Sequence, residues 1–541
     1  MRKNTVGKRC VLRYSGAKKE NRGMIIMKKK IAAIALSALT AFGFAGCGGG
    51  EKVNTEVPEG TEVILNVEKE NGNKTVFGVG TELDPHFFSQ NVGLSGYSSE
   101  TGTWTCREED WELFEQRMEE MNLKRIRVML LPSWYVINEA NTAEGVYNWD
   151  SDTMQSLYRT LDTAKQLGMK VNITMWGIDT GTAGYMRVAG ESAWVTIPDE
   201  AYEQTFVDCF ADCIKYLIEE KEYDCISEVT LYNEPNSLYG YPSYRQGVNE
   251  YCDLCTLMNE AFETKGIRDK VLFNLSDDAR DYGWMANVLM QLEGVIDVAN
   301  SHTYDFGDSF NSTTGESDTR DMSNDDICYN NPQYNLEMWR LAMEGYEIPH
   351  MWGEFGTQNG VGSHTTLDKH SASRGLDIPR ISLNFFNMGS VGMSYWVLFS
   401  QYYSRSEANG SGNIMDMGLW GFADENYNCR PVYYSYSMIT RFIEAGDVIF
   451  PIQSSDENIV AVAFRDGKEW SYAIVNNGDT DKTVGFVNYD SYPTALSRYE
   501  YDEANVPTDN KVIGASGELT ANGRVISDTV KARSFVIYTN K

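Results

Sequence analysis

The sequence is short of several things that would define other classes of protein. Positive charge is scarce: 77 Asp and Glu stand against 47 Lys and Arg, for a net charge of −30. Eleven of those basic residues lie in the first 46, beside a single acid, Glu20, so the rest of the chain carries 36 basic and 76 acidic groups. Such a body repels nucleic acid and anionic lipid surfaces and favours a neutral or cationic partner. Histidine is rare, at five residues (His86, His302, His350, His364 and His370). A metal-dependent barrel hydrolase would place two of them together after the first strand, where only His86 stands. There is no Gly-x-Ser-x-Gly elbow for a serine nucleophile. Gly78-Val-Gly80 lacks the third glycine and the helix opening of a dinucleotide loop. Cys252-x-x-Cys255 has no second cysteine or histidine pair at zinc-ligand spacing, so no metal and no cofactor is expected. Hydrophobic runs are short as well: the uncharged stretch Ile31–Gly46 spans 16 residues, too few for an ordinary membrane helix.

What is present begins with that stretch. Lys28-Lys29-Lys30 followed by Ile31–Gly46 reads as the basic and apolar regions of a secretory signal. It ends Phe44-Ala45-Gly46-Cys47, which resembles a bacterial lipobox with Leu replaced by Phe44; ordinary signal cleavage is the alternative. Residues 1–47 are therefore expected to be a signal ending at a lipidated Cys47, with Met24 or Met27 as alternative starts. The chain would then be extracytoplasmic and anchored to the bacterial cell membrane. Residues 48–60 read as a flexible tether. Of the remaining cysteines, Cys209/Cys213 and Cys252/Cys255 have helical spacing and suit small buried hydrophobes, with disulfide connectivity left open.

From there the pattern alternates. The helix faces Trp111-Phe114-Met118-Met121, Met154-Leu157-Leu161-Ala164 and Phe206-Phe210-Ile214-Leu217 are interleaved with apolar strands at Lys124–Leu130, Lys170–Met175 and Ser227–Tyr232. Val76–Gly80 precedes them as a first strand. Val271–Leu275, Val295–Ser301, His350–Glu354 and Gly392–Leu398 complete a series of eight. Eight strand–helix units of about 40 residues predict an α/β fold, a (β/α)8 barrel over 61–435, with a doubly wound sheet as the alternative. After Pro431 and a helix at Tyr433–Ile443, short alternating strands at Ile459–Phe464, Trp470–Val475, Lys482–Val487 and Ser534–Tyr538 predict a β-sandwich over 436–541. Residues 61–70 are a candidate extra strand for it.

In a parallel barrel, chemistry gathers at the C-terminal ends of strands. Those ends supply Arg127 (second strand), Trp176 (third), Tyr232-Asn233-Glu234-Pro235 (fourth), His302-Thr303-Tyr304 (sixth), Trp352-Gly353-Glu354 (seventh) and Tyr395-Trp396 (eighth). Glu234 and Glu354 are 120 residues apart, three units of about 40, so two carboxylates face each other across one mouth. Glycoside hydrolysis needs such a pair: a protonated acid for the leaving oxygen and an anion for the anomeric carbon, about 5–5.5 Å apart when configuration is retained. The 12 Trp, 32 Tyr and 22 Phe suit sugar stacking, although most aromatics fill cores.

With Asn233-Glu234-Pro235 after the fourth strand and Glu354 after the seventh, the sequence resembles clan A of the retaining glycoside hydrolases. The resemblance spans barrel and sandwich. His-x-Tyr on the sixth strand leans to family 5 and the sandwich to families 39 or 30. It implies that Glu234 is the general acid/base and Glu354 the nucleophile. Asn233 would bind the sugar 2-hydroxyl, and Tyr304 would donate a hydrogen bond to Glu354. Arg127 would keep Glu354 ionised, His302 would assist the proton cycling of Glu234, and Trp396 would floor the −1 subsite. Trp134 and Trp176 are candidate outer subsites, and His86 a candidate substrate contact. Each has a structural competitor: an ion pair for Arg127, a satisfied core group for His302, packing for Tyr304 and the tryptophans. The expected partner is a β-linked oligo- or polysaccharide, with no nucleic acid and no obligate protein partner. The alternative is a carbohydrate-binding surface lipoprotein with an inactive barrel.

Overall fold

The computed structural model describes residues 53–85, 108–137, 147–191, 195–239, 247–279, 281–305, 308–311, 316–319, 336–357, 369–400, 417–422 and 425–541. The signal with Cys47, His86, Cys10, Cys106 and Cys328 lie outside them. No helix among the described residues is long and apolar enough to cross a membrane.

Eight parallel strands close into a barrel. They are β1 (Gly78–Leu83), β2 (Arg125–Leu130), β3 (Lys170–Met175), β4 (Ile226–Thr230), β5 (Leu272–Ala279), β6 (Val298–Asp305), β7 (His350–Thr357) and β8 (Gly392–Tyr395), with β8 pairing β1 to shut the ring. Around them run α1 (Glu108–Glu120), α2 (Asp152–Gln166), α3 (Glu203–Lys215), α4 (Gly247–Thr264), α5 (Tyr282–Gln291), α6 (Leu336–Ala342), α7 (Arg374–Asn387) and α8 (Pro431–Phe442). The sequence logic is local. In α2, Ser151 Oγ accepts the Met154 N–H at 3.2 Å and caps the start, while Gly168 takes φ +66° just past the end. Between the caps, Met154, Leu157, Leu161 and Ala164 are fully buried. The cysteines of α3 and α4 (Cys209, Cys213, Cys252, Cys255) are buried and unpaired, packed like apolar residues.

The strand bounds differ from the sequence expectation at the ends that matter. The first strand begins at Gly78 rather than Val76 and runs to Leu83. The fifth extends four residues past Leu275, and the sixth begins at Val298 and reaches Asp305. Polar residues at the barrel mouth are still strand, because the neighbouring strands satisfy their backbone groups; apolar periodicity stops before the ladder does.

The second layer is a sandwich. A seven-stranded antiparallel sheet runs in the order 517–520, 495–502, 534–539, 469–476, 459–466, 448–451, 74–75. A three-stranded sheet joins Val63–Val67, Lys482–Asn488 and Val525–Val530, with Val63–Val67 parallel to Lys482–Asn488. The N-terminal stretch 61–70 thus contributes to the sandwich. The large sheet is covered on both faces. Val460, Val462, Phe464, Val475, Phe535 and Ile537 join the barrel's core, and Phe386 of α7 meets Phe464 edge-on at 5.0 Å. Ile459, Ala461, Ala463, Tyr472, Ile474 and Val536 pack with Leu65, Phe486 and Ile526 of the small sheet. Ile459–Phe464 is therefore buried throughout rather than alternating, because both its faces meet protein.

Candidate active site

Two irregularities in the barrel ladder aim the acids. In β7 the register against β6 slips between Trp352 and Glu354, so Glu354 comes opposite His302. Gly353 sits at the slip with its N–H donating to Asn300 Oδ1 at 2.6 Å, and a Cβ there would lie 2.2 Å from that oxygen. A larger residue here would have to displace the Asn300 amide. In β5 a second slip falls between Ser276 and Asp278, with Ser276 at φ +79° and Asp277 at φ +47°. Glu234 follows β4 at φ +45°, and its carbonyl accepts the Ser237 N–H at 2.9 Å as Pro235 opens the short helix Pro235–Tyr239. Asn236 clips that turn to β5 through two bonds with the backbone of Ala279, at 2.7 and 3.0 Å. Left-handed backbone at non-glycine residues is costly and collects at functional sites.

Arg127 is the centre of the arrangement and is fully buried. Nη1 lies 2.9 Å from Glu82 Oε2 and 3.3 Å from Glu354 Oε2. Nη2 donates to Asn233 Oδ1 at 2.7 Å and to Asp277 Oδ2 at 2.8 Å. His302 bridges the other side, with Nε2 3.0 Å from Asp277 Oδ1 and Nδ1 3.2 Å from Glu234 Oε1 and 3.4 Å from Glu354 Oε2. The Tyr304 hydroxyl donates to Glu354 Oε1. One oxygen of Glu234, one of Glu354 and a His302 nitrogen all lie within 4.8 Å of one another. Trp176 and Trp396 stack at 5.9 Å, and the Arg127 guanidinium sits 5.0 Å over Trp176. Trp176 lies beside Arg127 and Trp396, and Trp134 is 5% exposed in the core.

Electrostatics sorts these groups. Burial opposes charge on His302, but Asp277 and Glu354 outweigh it and push its pKa up to about 10. Both ring nitrogens then carry protons. Asp277 is held below the usual carboxylate range, burial notwithstanding, by Arg127 and His302. Glu354 is raised, by burial first and by the charge of Glu234, against His302, Arg127 and Tyr304. Two carboxyls this close share one proton more readily than they ionise together. Arg127, His302 and Tyr304 surround Glu354, and His302 also reaches Glu234. Glu234 is also the more exposed, at 29% of its side chain against 8% for Glu354.

The structure brings together Arg127, Trp176, Asn233, Glu234, His302, Tyr304, Glu354 and Trp396. His86 falls outside the described residues. Sequence reading missed Asp277, Glu82 and Asn300. Asp277 had a signal: an acidic pair one residue past the run Leu272–Leu275, at a strand end of the kind already being searched. Asn300 lies within a strand and had none.

An eight-stranded parallel barrel with a trailing β-sandwich defines the fold class. No protein-family model matches the chain, and no curated protein does. Among solved structures, the chain is similar to a glycoside hydrolase family 30 subfamily 8 xylanase from Clostridium acetobutylicum. Identity is 12% and the TM-score 0.59, over 88% of this chain and 98% of that one. It is also similar to a family 39 enzyme from Xanthomonas axonopodis pv. citri, at 15% identity and TM-score 0.55, over 89% and 99%. A third similar structure is the endo-β1,6-glucanase BT3312, at 13% identity and TM-score 0.58, over 88% and 93%. At these identities the likeness is one of fold.

Proposed function

We propose that the protein is a retaining β-glycosidase acting by double displacement on β-linked oligo- or polysaccharides. The observation that carries this reading is the 4.8 Å limit on the separation between Glu234 and Glu354 oxygens at one barrel mouth. That spacing suits direct attack on the anomeric carbon and is shorter than the separation that inverting pairs use. Glu234 gives its proton to the leaving oxygen as the C1–O bond breaks and Glu354 bonds C1. Glu234 then takes a proton from the water that cleaves the ester. Asn233 accepts from Arg127 through Oδ1, which leaves its amide N–H groups for the sugar 2-hydroxyl. Trp396, stacked on Trp176, floors the sugar ring. The strongly acidic body favours neutral glycans over polyanionic ones. Xylanase, xylosidase and glucanase names among the structural neighbours support this substrate class.

The test is a panel of aryl β-glycosides and plant β-glucans, mannans and xylans, with wild type and Glu354→Gln. Wild type should release products with retained anomeric configuration by proton NMR. Equal background release by both proteins would favour the inactive binding protein instead. Cys47 is proposed as the lipid attachment site on the exported chain. Fatty-acid labelling should vanish in Cys47→Ala; unchanged labelling would remove the anchor.

A further inference from the structure

Glu82 has no part in the reaction just described, yet it is fully buried beside the proposed nucleophile. It stands directly opposite Arg127 in the β1–β2 ladder. Arg127 Nη1 reaches Glu82 Oε2 at 2.9 Å and Glu354 Oε2 at 3.3 Å, so one nitrogen serves both acids. The second oxygen, Glu82 Oε1, is buried with no hydrogen-bond partner among the described residues. The charged groups facing Glu82 are Arg127 from β2, Glu354 from β7 and Asp84 from its own strand end. On β8 the ionisable residue is Tyr395, and its hydroxyl is turned to Met417 O at 2.8 Å.

We infer that Glu82 is a positioning residue that works as a neutral carboxylic acid, fixing the Nη1 edge of Arg127 beside Glu354 without competing for its charge. This rests on the glycosidase reading. A fully buried carboxylate with one oxygen unpartnered is costlier than the acid. Burial accordingly pushes the Glu82 carboxyl up to about 8, against the pull of Arg127. Charge accounting agrees. Leaving Asp84 aside, the cations Arg127 and His302 balance the anions Asp277 and Glu354 when Glu82 is neutral. In the first chemical step Glu354 loses its charge to the ester while Glu234 gains one by giving up its proton. The cluster stays balanced as long as Glu82 keeps its own proton. An ionised Glu82 would add a negative charge throughout and make Glu234 a weaker acid toward the leaving oxygen.

Two variants separate contact from charge. Glu82→Gln keeps an oxygen for Arg127 and is neutral at every pH. It should hold kcat/KM within about threefold near pH 6 and fall less steeply than wild type above about pH 8. Glu82→Leu removes the contact and should lower kcat by about tenfold or more with KM nearly unchanged. Equal losses in both variants, a wild-type alkaline limb in Glu82→Gln, or full activity in Glu82→Leu would overturn the inference. Carbon-13 NMR of glutamate-labelled protein reads the proton without turnover. The resonance missing from Glu82→Gln should titrate near pH 8, and titration below pH 5 would contradict the neutral acid. If no glycoside is hydrolysed at all, the glycosidase reading fails, while the titration still decides the state of Glu82.

Discussion

Two arginines on one face of β2 show how similar residues do different work. Arg125, at the barrel floor, meets one acid: Nη1 and Nη2 fork onto the two oxygens of Glu228, the second at 2.7 Å. Asn274 Nδ2 adds a bond to Glu228 Oε2 at 2.7 Å. This is a closed pair with matched charge and fork geometry. Arg127, two residues on, meets three carboxyls, an asparagine and, through Asp277, a histidine. Its charge is divided, and one of its acids, Glu354, opens to the mouth. A buried ion pair fills and orders a barrel when its groups satisfy each other. It can serve chemistry when one anion has a free lobe and the surrounding charges decide which carboxyl holds a proton.

The contrast breaks most sharply at the mouth. Glu354→Gln should lower kcat/KM by more than about 10³-fold on every substrate, since it removes the oxygen that bonds C1; a loss under tenfold would end the assignment. Glu234→Gln should cost about 10²–10⁴-fold on poor leaving groups and much less on activated aryl leaving groups, which need little protonation. A loss independent of leaving-group acidity would refute the acid role. Asp277→Asn removes the anion between Arg127 and His302 and should cost about 10–100-fold. It should also draw the His302 pKa down from about 10, followed by imidazole NMR. The linkage has a definite sign. Because His302 is raised above its ordinary 6.5, its stabilisation is complete below that pH and is lost as pH rises through about 10. Asp277 is depressed, so its contribution is present above about pH 4 and is lost on acidification. An Asp277→Asn protein with an unchanged stability–pH curve would contradict both. At the floor the effect moves from rate to stability. Glu228→Gln strands Arg125 and should cost about 3–5 kcal/mol in urea unfolding, with kcat/KM of the folded protein within about threefold.

Barrel and sandwich were both legible in the sequence, because helical faces and apolar strands recur in register and then give way to turn-punctuated strands. The meeting of Glu234 and Glu354 at one mouth was legible, because both stand at strand ends of the barrel. What escaped detection lies where the ladder departs from regularity. The slip at Ser276–Asp278 turns Asp277 inward, and no periodicity announces it. Starting the first strand at Val76 and ending it at Gly80 left Glu82 in a loop, although it is the direct cross-strand neighbour of Arg127. The run Ile459–Phe464 was expected to alternate, yet both its faces are covered, and the second cover is a three-stranded sheet whose first strand, Val63–Val67, lies nearly 400 positions earlier. Patterns within one segment cannot report a partner that far away.

The covalent step can be trapped directly. Incubation with 2-deoxy-2-fluoro β-glycosides of the gluco, xylo and manno series, followed by peptide mass spectrometry, should place one sugar on the peptide containing Glu354. The label should be absent from Glu354→Gln. Labelling of any other carboxylate, or turnover by wild type with inverted anomeric products and no adduct, would contradict the account.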